Sequence, residues 1–147
     1  MTIPLAIATL KKWEVHHLDL KSAFLHGDLE EEIYMRYIEG YTKDFSLVCK
    51  PRKYLYGIKE TPRAWYAKMD AFLMSQKFER CKYDRNVYMQ QKGGSLLLII
   101  LYVDDLLITN GPTLGLRSIK LALSEAFSMT DLGLLRKFIG LEVNQKA

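Results

Sequence analysis

Apolar positions along the chain recur in two different periods, and the switches between them mark out its elements. Trp13 to Leu18 is an apolar-rich run leading into Asp19 and predicts a strand. After a loop around His26-Gly27-Asp28, Glu32 to Arg36 predicts a second strand, and Gly40 to Phe45 reads as loop. Thr61 followed by Pro62 predicts a helix start: the hydroxyl can cap, and proline lacks only an N–H that the first turn leaves unused. Trp65, Met69, Phe72, Leu73 and Gln76 then fall at helical spacing, the first four forming one apolar face with Lys68 and Asp70 turned outward.

Val87 to Gln91 and Ser95 to Val103 are strands on either side of a Lys92-Gly93-Gly94 turn, and Leu106 to Thr109 completes a three-stranded meander. Beyond Gly111-Pro112, Leu116, Ile119, Leu123 and Phe127 give a second helix, from about Thr113 to Phe127. A last strand is expected at Phe138 to Val143. This order predicts an α+β domain, an antiparallel sheet with helices packed on one face and the other face open. An open sheet face with acids at a strand end is a natural floor for a ligand. No repeat or linker interrupts the chain, so residues 1–147 are expected to form a single domain.

Composition narrows the class. At 147 residues, 49% hydrophobic and 26% charged, the chain is of ordinary globular type rather than disordered or fibrous. Its net charge of +4 is concentrated: Lys43 to Lys92 holds 12 basic residues against five acidic ones. Such a segment suits phosphates, and the alternative is a solvated face that keeps the protein soluble. Cys49 and Cys81 form no CxxC pair and no signal peptide is evident, so an intracellular location, cytoplasmic or nuclear, is expected. The longest apolar run, Leu96 to Val103, is far below the ~20 residues that span a bilayer, so no membrane partner is expected.

The candidate chemistry lies where that run ends, in Asp104-Asp105. Two adjacent anions beside a core repel each other and lose solvation, and a bound divalent cation offsets both penalties. Asp19 also ends an apolar strand, and a neighbouring strand only ~4.8 Å away brings it beside the pair. Carboxylate oxygens suit Mg²⁺, with Mn²⁺ as a substitute, and two such ions are the usual equipment for phosphoryl transfer. The alternative is that Asp104-Asp105 only caps a hairpin, since aspartate favours turns. His16, His17 and His26 are not expected to bind metal, because Mg²⁺ prefers oxygen and no spacing here matches a zinc site.

Several stretches resemble the reverse transcriptases of copia-type LTR retrotransposons. His17-Leu18-Asp19-Leu20-Lys21-Ser22-Ala23-Phe24-Leu25-His26-Gly27-Asp28-Leu29 is similar to the family's first catalytic motif, and Glu31-Glu32-Ile33-Tyr34-Met35 to the segment after it. Leu55-Tyr56-Gly57-Ile58-Lys59-Glu60-Thr61-Pro62-Arg63-Ala64-Trp65-Tyr66 resembles the second motif and Tyr102-Val103-Asp104-Asp105 the third. Asp131-Leu132-Gly133 and Phe138-Ile139-Gly140-Leu141-Glu142 are similar to its closing segments.

The resemblance implies a polymerase palm in which Asp19, Asp104 and Asp105 hold two Mg²⁺ ions. A primer 3′-hydroxyl would attack the α-phosphate of a dNTP on an RNA or DNA template and release pyrophosphate. Phe24 would exclude a ribose 2′-hydroxyl, the backbone of Tyr56 and Gly57 would lie beneath the nascent base pair, and Lys59 and Arg63 would reach phosphates. Phe138, Ile139, Gly140 and Leu141 would contact the primer.

Read without the family, Phe24 is a core aromatic, Gly57 a plain turn, Lys59 and Arg63 solvate a helix start, and Phe138 to Leu141 is an edge strand.

Departures from the pattern exist: Glu60 stands where the family usually has Gln, and Tyr37-Ile38 where it has Gln-Pro. The 18 residues before Asp19 and five after Glu142 imply a palm lacking most of the fingers, the thumb and ribonuclease H. Such a palm is expected to bind nucleic acid weakly and to depend on the missing polymerase subdomains or other polyprotein parts. A catalytically silent palm that at most binds nucleic acid or a protein partner is the alternative; an unrelated α+β domain is the third.

Overall fold

The computed structural model describes residues 2–21, 34–36, 40, 44, 46–50, 60–110 and 115–145, with backbone alone for residues 2 and 60–64. In chain order these form α1 (Thr2–Lys11), β1 (Val15–Leu20), β2 (Met35–Arg36), β3 (Val48–Cys49), α2 (Glu60–Ser75), β4 (Glu79–Arg80) and β5 (Val87–Lys92). There follow β6 (Ser95–Tyr102), β7 (Asp105–Asn110), α3 (Leu116–Ala126), β8 (Met129–Leu134), β9 (Lys137–Phe138) and β10 (Leu141–Glu142). The expected α+β class is observed. The chain divides into two compact units, one of Met1–Lys21 with Asp70–Ala147 and one of Ser22–Met69. Within the second, β2 and β3 pair antiparallel, Met35 opposite Cys49.

The first unit is built on a six-stranded sheet of order β4-β5-β6-β7-β1-β8. Every pairing in it is antiparallel. The two β5–β6 and β6–β7 hairpins follow the sequence closely. Gly93 and Gly94 both carry positive φ (57° and 79°), the conformation a two-residue hairpin turn requires and glycine adopts freely. Leu97 to Leu101 and Leu106 to Ile108 are buried on both faces, which explains a nearly unbroken apolar run in place of alternation.

Register assigns the faces. Val87, Ile100 and Leu107 are directly opposite one another, and Val15 lies two residues from His17, the partner of Leu107. These side chains therefore share one face, where Ala8 of α1, Leu135 and Phe138 join them in a buried cluster. On the other face Tyr88 bonds Asp70 of α2, and His16 meets Lys120 of α3 at 3.0 Å. Phe72 packs edge-on to Phe127, just past α3, with ring centroids 5.3 Å apart.

The helices thus occupy both faces, whereas the sequence pattern placed them on one. The difference is α1, which the pattern did not predict: Leu5 is half-buried against the cluster, Ala8 is buried, and Ile3 and Leu10 are exposed.

Two further elements differ from expectation. Met129–Leu134 is a strand, β8, beside β1, with a register shift between His17 and Leu18. The expected last strand, Phe138 to Val143, is broken into the β9–β10 hairpin because Ile139 and Gly140 both adopt positive φ (49° and 76°).

Candidate functional site

The acids converge at one end of the central strands, on the face whose opposite end is covered by α1. Asp19 in β1 is the direct register partner of Asp105 in β7, and Asp105 is in turn opposite Tyr102 of β6. Directly opposed residues of an antiparallel pair have Cα atoms only about 5 Å apart. Val103 and Asp104 form the turn between β6 and β7. The Leu20 N–H donates to the Asp104 carbonyl at 2.9 Å, fastening this turn to the end of β1.

The electrostatics follow from that placement. Burial pushes the Asp104 carboxyl above the ordinary carboxylate range, and the nearby charges of Asp19 and then Asp105 push it further. Asp104 Oδ1 is buried without a hydrogen-bond partner among the described residues. Asp105 differs: its Oδ1 accepts a 2.6 Å hydrogen bond from His17 Nε2. A bare carboxylate oxygen beside two like charges fits a hard divalent cation, which would supply the missing partner and cancel the repulsion. Among the described residues, no three His, Cys, Asp or Glu side chains are already closed into a group that could hold a metal ion. The arrangement is a set of oxygen donors on adjacent strands rather than a finished cage.

The connecting turn carries strain. Val103 has φ 52°, a left-handed conformation that a β-branched residue rarely adopts, and the residue is 61% exposed, so packing returns little. Val103→Gly is expected to stabilise the protein by about 1 kcal/mol, strain relief exceeding the added chain entropy. A raised urea midpoint at unchanged slope would show it.

The hairpin expected to contact primer is tied to this site through Tyr102, whose ring meets Phe138 edge-on at 5.6 Å. Phe138 is a core residue, while Ile139 and Leu141 are exposed, Leu141 by 70%. Phe24, Tyr56, Gly57 and Lys59 lie outside the described residues, and Arg63 lies in α2 with its side chain outside them. Sequence reasoning set His17 aside as a metal ligand and missed its bond to Asp105. Strand alternation was the available signal, since residues 17 and 19 must share a face.

His16, on the opposite face, belongs to a separate network. Its Nδ1 meets Lys120 Nζ at 3.0 Å, and Lys120 also binds both carboxylate oxygens of Asp131. Burial, then the Lys120 charge, lowers the His16 pKa, so the ring is neutral and accepts from the lysine.

Asp19 and Asp105, opposed across adjacent strands, and Asp104 in the adjoining turn thus make up the candidate site. The chain belongs to the reverse transcriptase (RNA-dependent DNA polymerase) family, whose model matches residues 1–147. Its relatives among curated proteins are Pol polyproteins of copia-type retrotransposons. It is 41% identical over 142 residues to the retrovirus-related Pol polyprotein from transposon TNT 1-94 of Nicotiana tabacum, covering 95% of this chain and 11% of that protein. With the polyproteins from transposons RE1 and RE2 of Arabidopsis thaliana it shares 39% and 37% identity, in each case over 97% of this chain and 10% of theirs. The chain therefore spans about a tenth of the length of these relatives. No solved structure matches it.

Proposed function

We propose that this chain is the palm of a retrotransposon RNA-directed DNA polymerase, joining a dNTP to a primer 3′-hydroxyl. The observation that carries the reading is the register pairing of Asp19 with Asp105, with the bare, repelled carboxyl of Asp104 in the adjoining turn. Asp19, Asp104 and Asp105 are the residues that would hold two divalent ions, with Asp105 on the primer side. Mg²⁺ or Mn²⁺, when bound, supplies activation of the attacking hydroxyl and charge neutralisation at the departing pyrophosphate. The protein's own part is to hold the oxygen donors on rigid strands. The β9–β10 hairpin, braced on Tyr102 through Phe138, presents Ile139 and Leu141 to the primer end.

Phe24 is assigned the exclusion of ribonucleotides, Tyr56 and Gly57 the support of the nascent pair, and Lys59 and Arg63 the phosphates. Template, primer, dNTP and the remaining parts of a Pol polyprotein are its partners.

The test is primer extension on an RNA template with Mg²⁺ or Mn²⁺, comparing the chain with its Asp104→Asn, Asp105→Asn double variant. Extension by the parent that falls at least about 1,000-fold in the double variant is the expected result, given the charge that the two-ion site must hold. A folded parent that extends nothing, alone or supplemented with the other polyprotein segments, leaves a catalytically silent palm as the description.

A further inference from the structure

We propose that His17 is a positioning residue for Asp105, and that it sets the chain's affinity for divalent cations. The inference rests on the two-ion reading of the acids. His17 and Asp105 lie on the same sheet face: His17 is opposite Leu107, and Asp105 is two residues along the same strand. That diagonal brings imidazole Nε2 to within 2.6 Å of Asp105 Oδ1, with the His17 side chain only 15% exposed and that of Asp105 34%.

The ring, donating from Nε2, occupies one carboxylate oxygen and leaves Oδ2 for a cation. The bond also fixes the carboxylate's rotation before the ion arrives, so less side-chain freedom is lost on binding. Partners of this kind, one bond removed from a metal, commonly change affinity 10–100-fold when deleted. The contrast within the site is informative: Asp104 is anchored through its backbone carbonyl, while Asp105 is the acid whose side chain is held.

Mn²⁺ titration followed by electron paramagnetic resonance tests the assignment on the full chain. His17→Phe, which fills the space without a donor, is expected to weaken Mn²⁺ binding about 10-fold or more, whereas His17→Gln, which retains an N–H, stays within about threefold of the parent. Unchanged or tighter binding in a folded His17→Phe protein overturns the proposal; tighter binding would show that the bond competes with the ion.

Asp104→Asn separates the two layers of the argument. If it abolishes Mn²⁺ binding while His17→Phe does not change it, the positioning role fails and the metal reading stands. If Asp104→Asn leaves binding unchanged, or the parent binds no Mn²⁺, both fail. The parent also supplies a measurement free of any folding defect: the His17 Nε2–H proton resonance persists on saturation with Mg²⁺, and its disappearance counts against the proposal.

Discussion

Asp104→Asn raises the melting temperature of the metal-free protein by about 3 °C, corresponding to about 1 kcal/mol for a domain of this size. The gain comes from removing an anion whose Oδ1 is buried without a partner and which is repelled by Asp19 and Asp105. The pH dependence has a definite sign. The folded state holds the Asp104 proton more tightly than the unfolded chain, whose carboxyl has the ordinary value of 3.8. Metal-free stability therefore falls as pH rises from that value through the raised folded one, and the loss is complete above it. The advantage of the variant is present at pH 7, fades as pH drops through the raised folded value and is gone below 3.8, so the difference between variant and parent, measured by calorimetry at both ends, isolates this carboxyl from the other acids.

Divalent cations reverse the order. An ion that binds only the folded parent stabilises it by about 2.7 kcal/mol at a concentration 100 times its dissociation constant. The variant, lacking one charged donor at the turn, gains much less, so the two melting curves cross as Mg²⁺ or Mn²⁺ is added. Parallel curves with no crossing would mean that the strain at Asp104 is not held in reserve for a cation. Such a crossing would tie the energetic cost of the site to its proposed chemistry, because the feature that destabilises the metal-free fold would be the one that recruits the ion.

How much of this could be read from the chain varies from element to element, for physical reasons. The β5–β6–β7 meander was legible because Gly93-Gly94 supplies a turn only a few sequences can make and the flanking runs are apolar throughout. Asp104-Asp105 was conspicuous for the same reason, two charges ending such a run, and the approach of Asp19 followed from strand spacing. Helix α1 was not legible, since TIPLAIATLK is apolar on most sides and shows no clear stripe. Strand β8 was missed because its side chains are half-buried or exposed and its pairing with β1 is irregular, leaving no alternation to detect. In the hairpin after it, Ile139 takes a left-handed conformation that its β-branched side chain argues against, so the sequence reads as one continuous strand.

Gln145 lies beyond any periodic signal, and Gln145→Ala is expected to destabilise the protein by about 2–3 kcal/mol. Its Oε1 accepts from the Val15 N–H at 2.8 Å, and its Nε2 donates to the carbonyls of Val15 and Leu135, both at 2.9 Å. One amide thus serves the backbone at the start of β1 and the segment leaving β8. The Val15 carbonyl keeps a second partner, the Leu135 N–H at 2.8 Å, so the groups left exposed to loss are the Val15 N–H and the Leu135 carbonyl. Each buried backbone group deprived of its bond costs about 1–3 kcal/mol, moderated here because the site is only partly buried and water can reach it. Gln145→Glu discriminates between lost contact and lost pairing. It preserves size yet places a carboxylate against two carbonyl oxygens, so it should cost at least as much as alanine at pH 7 and recover on acidification. Asn144→Ala, at the exposed neighbouring position, should stay within about 0.5 kcal/mol of the parent. Urea denaturation of the three variants measures all of this. Equal stability of the Gln145 and Asn144 variants would show that β1 is held in place by its strand neighbours alone. If Gln145 matters as argued, the strand that carries His17 and Asp19 is anchored at its far end by a side chain 130 residues away, and the geometry of the acids depends on it.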